Sequence, residues 1–79
     1  MRWDFKYTAS FAAKARALPQ TYQKAYVHDF LIHLKTLDDP KDMGGPYLNG
    51  WAYFFCGRSL LLCDIDYISM TVVFYDIVL

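Results

Sequence analysis

The sequence contains no glutamate, and all eight of its acidic residues are aspartates. Calcium-binding loops need a regular run of oxygen ligands that ends in a bidentate carboxylate. The aspartates at positions 38, 39 and 42 have Pro40 among them and no glutamate after them. They therefore indicate the end of a helix rather than a divalent-cation loop.

Cysteine is also scarce. The two cysteines, Cys56 and Cys63, do not belong to a Cys-x-x-Cys pair, so the common zinc motifs are excluded. A disulfide between adjacent strands and two reduced thiols both remain open, and we favour thiols because disulfides are rare in the cytosol. We expect neither a metal nor a cofactor.

The chain has no long hydrophobic run, since no stretch approaches the roughly 20 apolar residues that span a bilayer. Its first residues, Met-Arg-Trp-Asp-Phe, carry a charge at every second position, which does not fit the apolar core of a signal peptide. We therefore expect a cytoplasmic protein.

The sequence also has no net charge at pH 7. That value averages two unlike halves, because residues 1–35 carry six basic and two acidic residues, whereas residues 36–79 carry two basic and six acidic ones. Hydrophobic residues make up 56% of the 79 positions and aromatic residues 19%. This composition predicts one packed domain over residues 1–79 and leaves room for a polar partner surface.

Helical and extended patterns alternate in the first half of the chain. Trp3, Phe5 and Tyr7 alternate with charged residues, as in a half-buried strand. Thr8 can cap a helix from Ala9 to Leu18, which Pro19 ends. A second amphipathic helix follows and stops near Asp38–Asp39, and its apolar stripe contains Tyr22, Tyr26, Phe30, His33 or Leu34, and Leu37.

The second half predicts strands. Residues 38–50 are rich in Pro, Gly and Asp and predict a loop. Three β-rich runs follow at Trp51–Cys56, Ser59–Asp66 and Met70–Leu79, and the short connections between them favour antiparallel pairing. The continuous leucines of the middle run indicate a central strand. The predicted fold is α+β, with an N-terminal strand, a two-helix hairpin and three antiparallel strands in one sheet.

Four segments carry a resemblance to a known family: the N-terminal aromatic strand that runs into a helix, Leu37-Asp-Asp-Pro40, Leu48-Asn-Gly50, and Gly57 before an apolar strand ending in Asp64-Ile-Asp66 and followed by Thr71–Ile77. In this order the sequence resembles the RelE/ParE superfamily of type II toxin–antitoxin toxins over essentially its whole length. The resemblance implies a RelE-like fold and a toxin held by an antitoxin.

Ribosome-dependent members of that superfamily cleave mRNA with basic and tyrosine side chains, partly in a Gly-x-Tyr-Arg-x-x-Tyr motif. When the glycine of that motif is aligned with Gly57, its Tyr, Arg and second Tyr fall on Ser59, Leu60 and Cys63. All three motif residues are therefore missing. The usual C-terminal Gly-His-Arg and Tyr are absent too, because the sequence ends Asp76-Ile-Val-Leu79. The chain is thus an atypical relative.

Three residues remain as catalytic candidates. Arg58 lies beside the missing tyrosine position, Lys41 lies in the long loop, and Tyr75 lies in the last strand. Each also has a structural interpretation, as an exposed hairpin arginine, a solvated loop lysine and a packed strand tyrosine.

The candidate binding surface for RNA or a partner protein is a basic face formed by Lys6, Lys14, Arg16 and Lys24. A solvated outer face also explains these positions, and we favour it because charged residues are mostly exposed. His28 and His33 are about 140° apart around the second helix, so they cannot bind one metal ion together. His33 belongs to the apolar stripe and is expected at the core or its boundary.

Two functions follow. The first is a growth inhibitor that acts on translation by ribosome-dependent mRNA cleavage or block, and whether the chain is an endoribonuclease stays open. The second is an inactive RelE-like scaffold that inhibits another protein by binding, as ParE-type members do. Expected partners are an antitoxin or protein target, and a ribosome or mRNA under the first function. A homodimer is expected if the apolar strand Thr71–Leu79 is an exposed edge.

Overall fold

Strand β1, Asp4–Tyr7, leads through Thr8 into helix α1, Ala9–Ala17. In the computed structural model, which describes residues 3–25 and 30–79, the Thr8 hydroxyl accepts a hydrogen bond from the Phe11 N–H at 3.2 Å. This bond satisfies one of the first-turn donors of α1, so the predicted cap is confirmed. The helix ends before Pro19, which disfavours helical geometry in the residue preceding it.

The second helical region contains α2, Gln20–Lys24, and α3, Ile32–Lys35. Phe30 and Leu31 lie in a wider, π-type turn that leads into α3. Phe30 and Leu34 are the buried members of the predicted stripe among the described residues, at 3% and 2% exposure, whereas His33 is exposed. The placement of His33 at the core boundary was therefore wrong, because its neighbour Leu34 faces the sheet. Tyr26 and His28 lie outside the described residues.

A short strand interrupts the segment that the sequence predicts to be a loop. After a 3₁₀ turn at Pro40–Asp42, strand β2 covers Gly45–Tyr47 and pairs antiparallel with β3, Gly50–Phe55. The sequence Gly-Pro-Tyr has no strand pattern of its own. Its extended conformation depends on the neighbouring strand, which the local sequence does not reveal.

Strands β4, Ser59–Asp66, and β5, Thr71–Val78, complete a mixed sheet with the order β1-β5-β4-β3-β2. β4 is central, as its leucines predict, and β3, β4 and β5 are antiparallel neighbours. β1 is parallel to β5 and lies beside its first half. The α+β fold class is thus confirmed, with β2 as an additional strand.

The position of β5 corrects one expectation. This strand does not form an edge of the sheet along its whole length, because β1 pairs with it from Thr71 to Phe74 and β4 pairs with it throughout. Only Tyr75–Val78 pairs on a single side. The exposed apolar surface there is limited to the end of the chain, where Val78 is 39% and Leu79 66% exposed.

Helical side chains cover one face of the sheet and form the core. Phe11 from α1 and Leu34 from α3 pack with Phe30 against strand residues that alternate toward the helices. These strand residues are Tyr53, Phe55, Leu61, Cys63, Val72, Phe74 and Ile77. The opposite face carries no helix among the described residues, and we call it the open face. None of the described helices has the length and apolar character to cross a membrane.

Candidate functional site

The open face combines polar and apolar side chains. Successive strand residues point to opposite faces, so the residues between the core positions of each strand lie on it. Register places them in rows across the sheet, with Lys6, Val73 and Asp64 in one row and Val78, Leu60 and Phe54 in another.

A β-bulge directs Tyr75 onto this face. Leu62 pairs with Asp76 and Cys63 pairs with Phe74, which leaves Tyr75 as the extra residue of β5. Its phenol lies above Gly50 in β3: a Cβ added to Gly50 would be 3.3 Å from the Tyr75 hydroxyl oxygen. The same Cβ would be 3.0 Å from Oδ1 of Asp64. A phenol and a carboxylate therefore meet over a glycine.

The electrostatics of this pair determine its chemistry. Burial raises the pKa of the Tyr75 phenol, and the nearby carboxylate of Asp64 raises it further. Both effects disfavour the phenolate. Tyr75 is therefore a protonated phenol at neutral pH, able to donate a hydrogen bond but not to act as a base.

Lys41 lies at the same end of β3. Its Nζ atom is 5.2 Å from the ring centroid of Trp51 and 5.3 Å from that of Tyr67, so the ammonium group rests between two aromatic rings. Lys41 also borders a small cavity of about 120 Å³ together with Gly50 and Asp64. The fold thus brings two of the three catalytic candidates, Lys41 and Tyr75, around the same glycine and carboxylate.

Arg58 does not join them. It is exposed in the turn between β3 and β4, at the opposite end of β3 from Gly50 and Trp51. Along a strand of this length the separation is about 17 Å. The environment of Arg58 is that of an exposed turn residue.

The predicted basic face is divided between both sides of the sheet. Lys6 lies on the open face in β1, and Lys14 of α1 forms an ion pair with Asp76 of β5. Arg16 and Lys24 are exposed on α1 and α2, which cover the other face. The four residues therefore do not form one surface on the open face, where only Lys6 and the bound Lys14 contribute positive charge among the described residues.

Cysteine and histidine add no reactive group here. Cys63 is buried in the core, and burial raises the pKa of its thiol to about 12, so the thiolate does not form at neutral pH. Cys56 is exposed just after β3, and both cysteines are free thiols. The residue opposite Cys63 on β3 is Trp51, so the two cysteines do not face each other across the strands. Within residues 3–25 and 30–79 no three potential ligands cluster around a metal position.

Sequence reasoning missed Asp64, Trp51 and Tyr67 as neighbours of the candidates. The common position of Asp64 and Tyr75 beside Gly50 depends on the bulge in β5, and the contact between Lys41 and Tyr67 joins residues far apart in the chain. The resemblance to Leu-Lys-Gly at Leu48-Asn-Gly50 was the only signal near this site, and it did not indicate which side chains surround the glycine.

The fold is a mixed five-stranded sheet, with a parallel pairing of the first and last strands and helices on one face. Its likeness to a solved structure confirms the RelE-like fold that the sequence predicts. A chain in the crystal structure of the toxin–antitoxin complex RelBE2 from Mycobacterium tuberculosis matches with a TM-score of 0.80 and 21% sequence identity. The match covers 99% of this chain and 98% of that chain. No family model matches the sequence, and neither does any curated protein.

The positions of the missing motif are unsuited to catalysis in this fold. Ser59 and Cys63 are buried on the helix-covered side of β4, at 3% and 0% exposure. Leu60 lies on the open face but has no titratable group. None of the three offers a proton or a positive charge to a substrate.

Proposed function

We propose that this chain is the toxin component of a toxin–antitoxin pair and that it inhibits growth by binding a protein rather than by cleaving RNA. The likeness of the fold to a chain of the RelBE2 complex supports the class of protein. Its expected partners are an antitoxin and a protein target, and its expected location is the cytoplasm.

The charge of the open face carries the proposal. Asp4, Asp64, Asp66 and Asp76 present four carboxylates there, against the ammonium groups of Lys6 and Lys14. RNA binding depends on positive groups that neutralise phosphates. An acidic face repels RNA and attracts a basic protein surface.

The described part of the open face also has few groups that could catalyse RNA cleavage. Cleavage of RNA requires proton transfer and stabilisation of the charge that develops on the phosphate. Tyr75 remains protonated, and the described part of the open face has no arginine or histidine. The arrangement suits recognition better than phosphate chemistry.

One observation supports a second candidate, ribosome-dependent mRNA cleavage. Lys41 and Tyr75 both lie close to Gly50 and Asp64, so an ammonium group and a phenol are neighbours of the same carboxylate. In that function Lys41 would stabilise phosphate charge and Tyr75 would donate a proton, while Arg58 would contribute only after a conformational change of its turn.

Induced expression in a bacterial host separates the two functions. Growth and mRNA integrity are followed for the wild-type chain and for Lys41→Met, Tyr75→Phe and Arg58→Ala, with Lys35→Met as a control at an exposed lysine of α3. We expect growth inhibition without mRNA cleavage, retained in all four variants. Ribosome-dependent cleavage that Lys41→Met or Tyr75→Phe abolishes would establish the second function and contradict the first.

A further inference from the structure

Three apolar side chains form an exposed row across the open face. Phe54 of β3 pairs with Leu60 of β4, and Leu60 pairs with Val78 of β5. Phe54 is 69% exposed and Val78 39% exposed, while Leu60 is half-buried. We call these three residues the apolar row.

The apolar row differs from the other exposed apolar residues of the chain. Ile68 and Leu48 are more exposed, at 98% and 86%, but they lie in turns and not on the strands of the open face. Scattered apolar residues are normal on protein surfaces, whereas a contiguous set is typical of an interaction site. Ala52 and Leu62 lie in the next row and are buried, at 6% and 5% exposure, so the exposed apolar surface is confined to the apolar row.

Carboxylates follow the apolar row along the strands. Asp76 is in the next row, and Asp64 lies four residues from Leu60 on the same face of β4, about 13 Å away. Asp66 follows two residues later, and its pKa is lowered because its carboxylate accepts hydrogen bonds from the backbone of the following turn. A molecule bound to this surface therefore contacts apolar side chains at one end and carboxylates at the other.

This gradient selects among possible occupants. RNA would place its phosphates beside Asp64 and Asp66, which is unfavourable. A second copy of this chain, related by two-fold symmetry, would bring the same acidic face opposite itself. A basic protein segment satisfies both parts of the surface, since its apolar side covers the row and its cations reach the carboxylates.

We propose that the open face binds a protein segment that presents apolar and then basic side chains on one side, with the apolar side chains on Phe54, Leu60 and Val78 and a lysine or arginine near Asp64. The inference rests on the proposed function, because it specifies the chemistry of the protein that this chain binds. It places recognition away from Arg58 and away from the basic residues of α1 and α2.

Binding of short labelled peptides to the purified full chain tests this surface. The probe, called the Leu-Lys peptide, has about eight residues, with leucines at positions 1 and 3, lysines at positions 5 and 7 and threonines between them. In an extended conformation its leucines and lysines lie on one side and span the surface from the apolar row to Asp64. The Leu-Glu peptide has glutamates in place of the two lysines, so it has the same apolar part and the opposite charge. We expect the Leu-Lys peptide to bind at least about tenfold more tightly, with an affinity that falls as salt rises.

Three variants locate the binding. Phe54→Thr and Asp64→Asn are each expected to weaken binding of the Leu-Lys peptide several-fold, whereas the control Ile68→Thr leaves it unchanged. Val78→Thr removes apolar surface at the other end of the row with almost no change in shape, so it serves if Phe54→Thr alters the fold. Circular dichroism verifies that each variant is folded.

Several results would overturn the proposal. These are equal affinity for the two peptides, no binding of either, competition by a single-stranded RNA of similar length, or loss of self-association in Phe54→Thr with peptide binding unchanged. Growth inhibition is measured separately. A chain that binds the Leu-Lys peptide as expected but does not inhibit growth retains this surface and contradicts the proposed function alone.

Discussion

Tyr53 connects the loop before β2 to the centre of the core. Its ring is fully buried, and its hydroxyl donates a 2.6 Å hydrogen bond to the carbonyl of Pro40. Tyr53→Phe removes the donor and leaves a buried carbonyl without its partner, so the free energy of unfolding should fall by about 1–2 kcal/mol. Urea denaturation measures the change.

The matched control is Tyr47→Phe at an exposed position of β2. This substitution should change the free energy of unfolding by less than about 0.5 kcal/mol, as surface substitutions usually do. Equal effects at the two positions would show that the Pro40 carbonyl finds another donor when Tyr53 loses its hydroxyl.

Asp39 links the loop to the turn between β4 and β5. Its Oδ1 accepts a 2.6 Å hydrogen bond from the Tyr67 hydroxyl and another from the Lys41 N–H. The first bond, followed by the second, holds the pKa of Asp39 below its ordinary value of 3.8. A carboxyl whose pKa is lower in the folded state stabilises the fold above the unfolded pKa, and this contribution disappears as pH falls through the folded pKa.

Removing the Tyr67 hydroxyl should therefore affect stability mainly above pH 4. We expect Tyr67→Phe to be less stable than the wild-type chain at pH 7, and the difference to shrink toward pH 2. Thermal unfolding of both proteins across this range is the measurement. A difference that grows as pH falls would contradict the role of the Asp39 carboxylate.

At the scale of elements, Gly50 permits the close approach of β3 and β4 below Tyr75. A Cβ at this position would lie 2.7 Å from the carbonyl oxygen of Cys63, which is backbone and cannot rotate away. Gly50→Ala should lower the free energy of unfolding by about 1–3 kcal/mol, as overpacking generally does. Chemical denaturation provides the value.

Gly45 supplies the comparison within the same hairpin. Gly45 lies in β2 and pairs with Ala52 of β3, and an added Cβ there meets nothing within 4 Å. Gly45→Ala should leave stability unchanged or raise it by up to about 1 kcal/mol, because alanine restricts the unfolded chain. A loss at Gly45 as large as that at Gly50 would show that glycine flexibility, and not contact with Cys63, is the requirement.

The elements themselves were largely predictable from local patterns. The alternation from Trp3 to Tyr7, the cap at Thr8 and the central leucines of β4 are signals within a few residues, and the structure confirms them. β2 and the bulge at Tyr75 have no local signal, since each depends on the strand beside it. The parallel pairing of β1 with β5 joins the two ends of the chain and is likewise a tertiary property.

The candidate site was less predictable for the same reason. Lys41, Tyr75 and Arg58 were selected by residue type and by resemblance, but their separation depends on the ends of β3. The aromatic rings around Lys41 come from residues 10 and 26 positions later in the chain. Side-chain identity suggested the chemistry, and only the register of the strands shows which groups meet.

At the scale of the whole molecule, the two charge halves of the sequence form different elements. The basic half contains β1 and the helices, and the acidic half contains the loop and strands β2–β5. The ion pair between Lys14 and Asp76 connects them, yet both side chains remain partly exposed, so its contribution to stability is small. The separation of charge therefore affects the electrostatics of the surface more than the stability of the fold.

The end of β5 is a stretch of strand with one unpaired side, because β1 pairs only with the first half of β5. Tyr75–Val78 pairs only with β4, and Val78 and Leu79 extend it with exposed apolar side chains. An unpaired edge of this kind accepts another strand. We therefore expect the isolated chain to self-associate at micromolar concentrations through β5.

Sedimentation across that concentration range tests the edge. Leu79→Lys adds a charge beside it and should shift the chain toward monomer, whereas Ile68→Lys, a control in the β4–β5 turn, should not. Phe54→Thr should also leave self-association unchanged, because Phe54 lies two strands away from β5's free edge. A monomer at all concentrations would contradict the prediction, and loss of association in Phe54→Thr would move the contact from the strand edge to the open face.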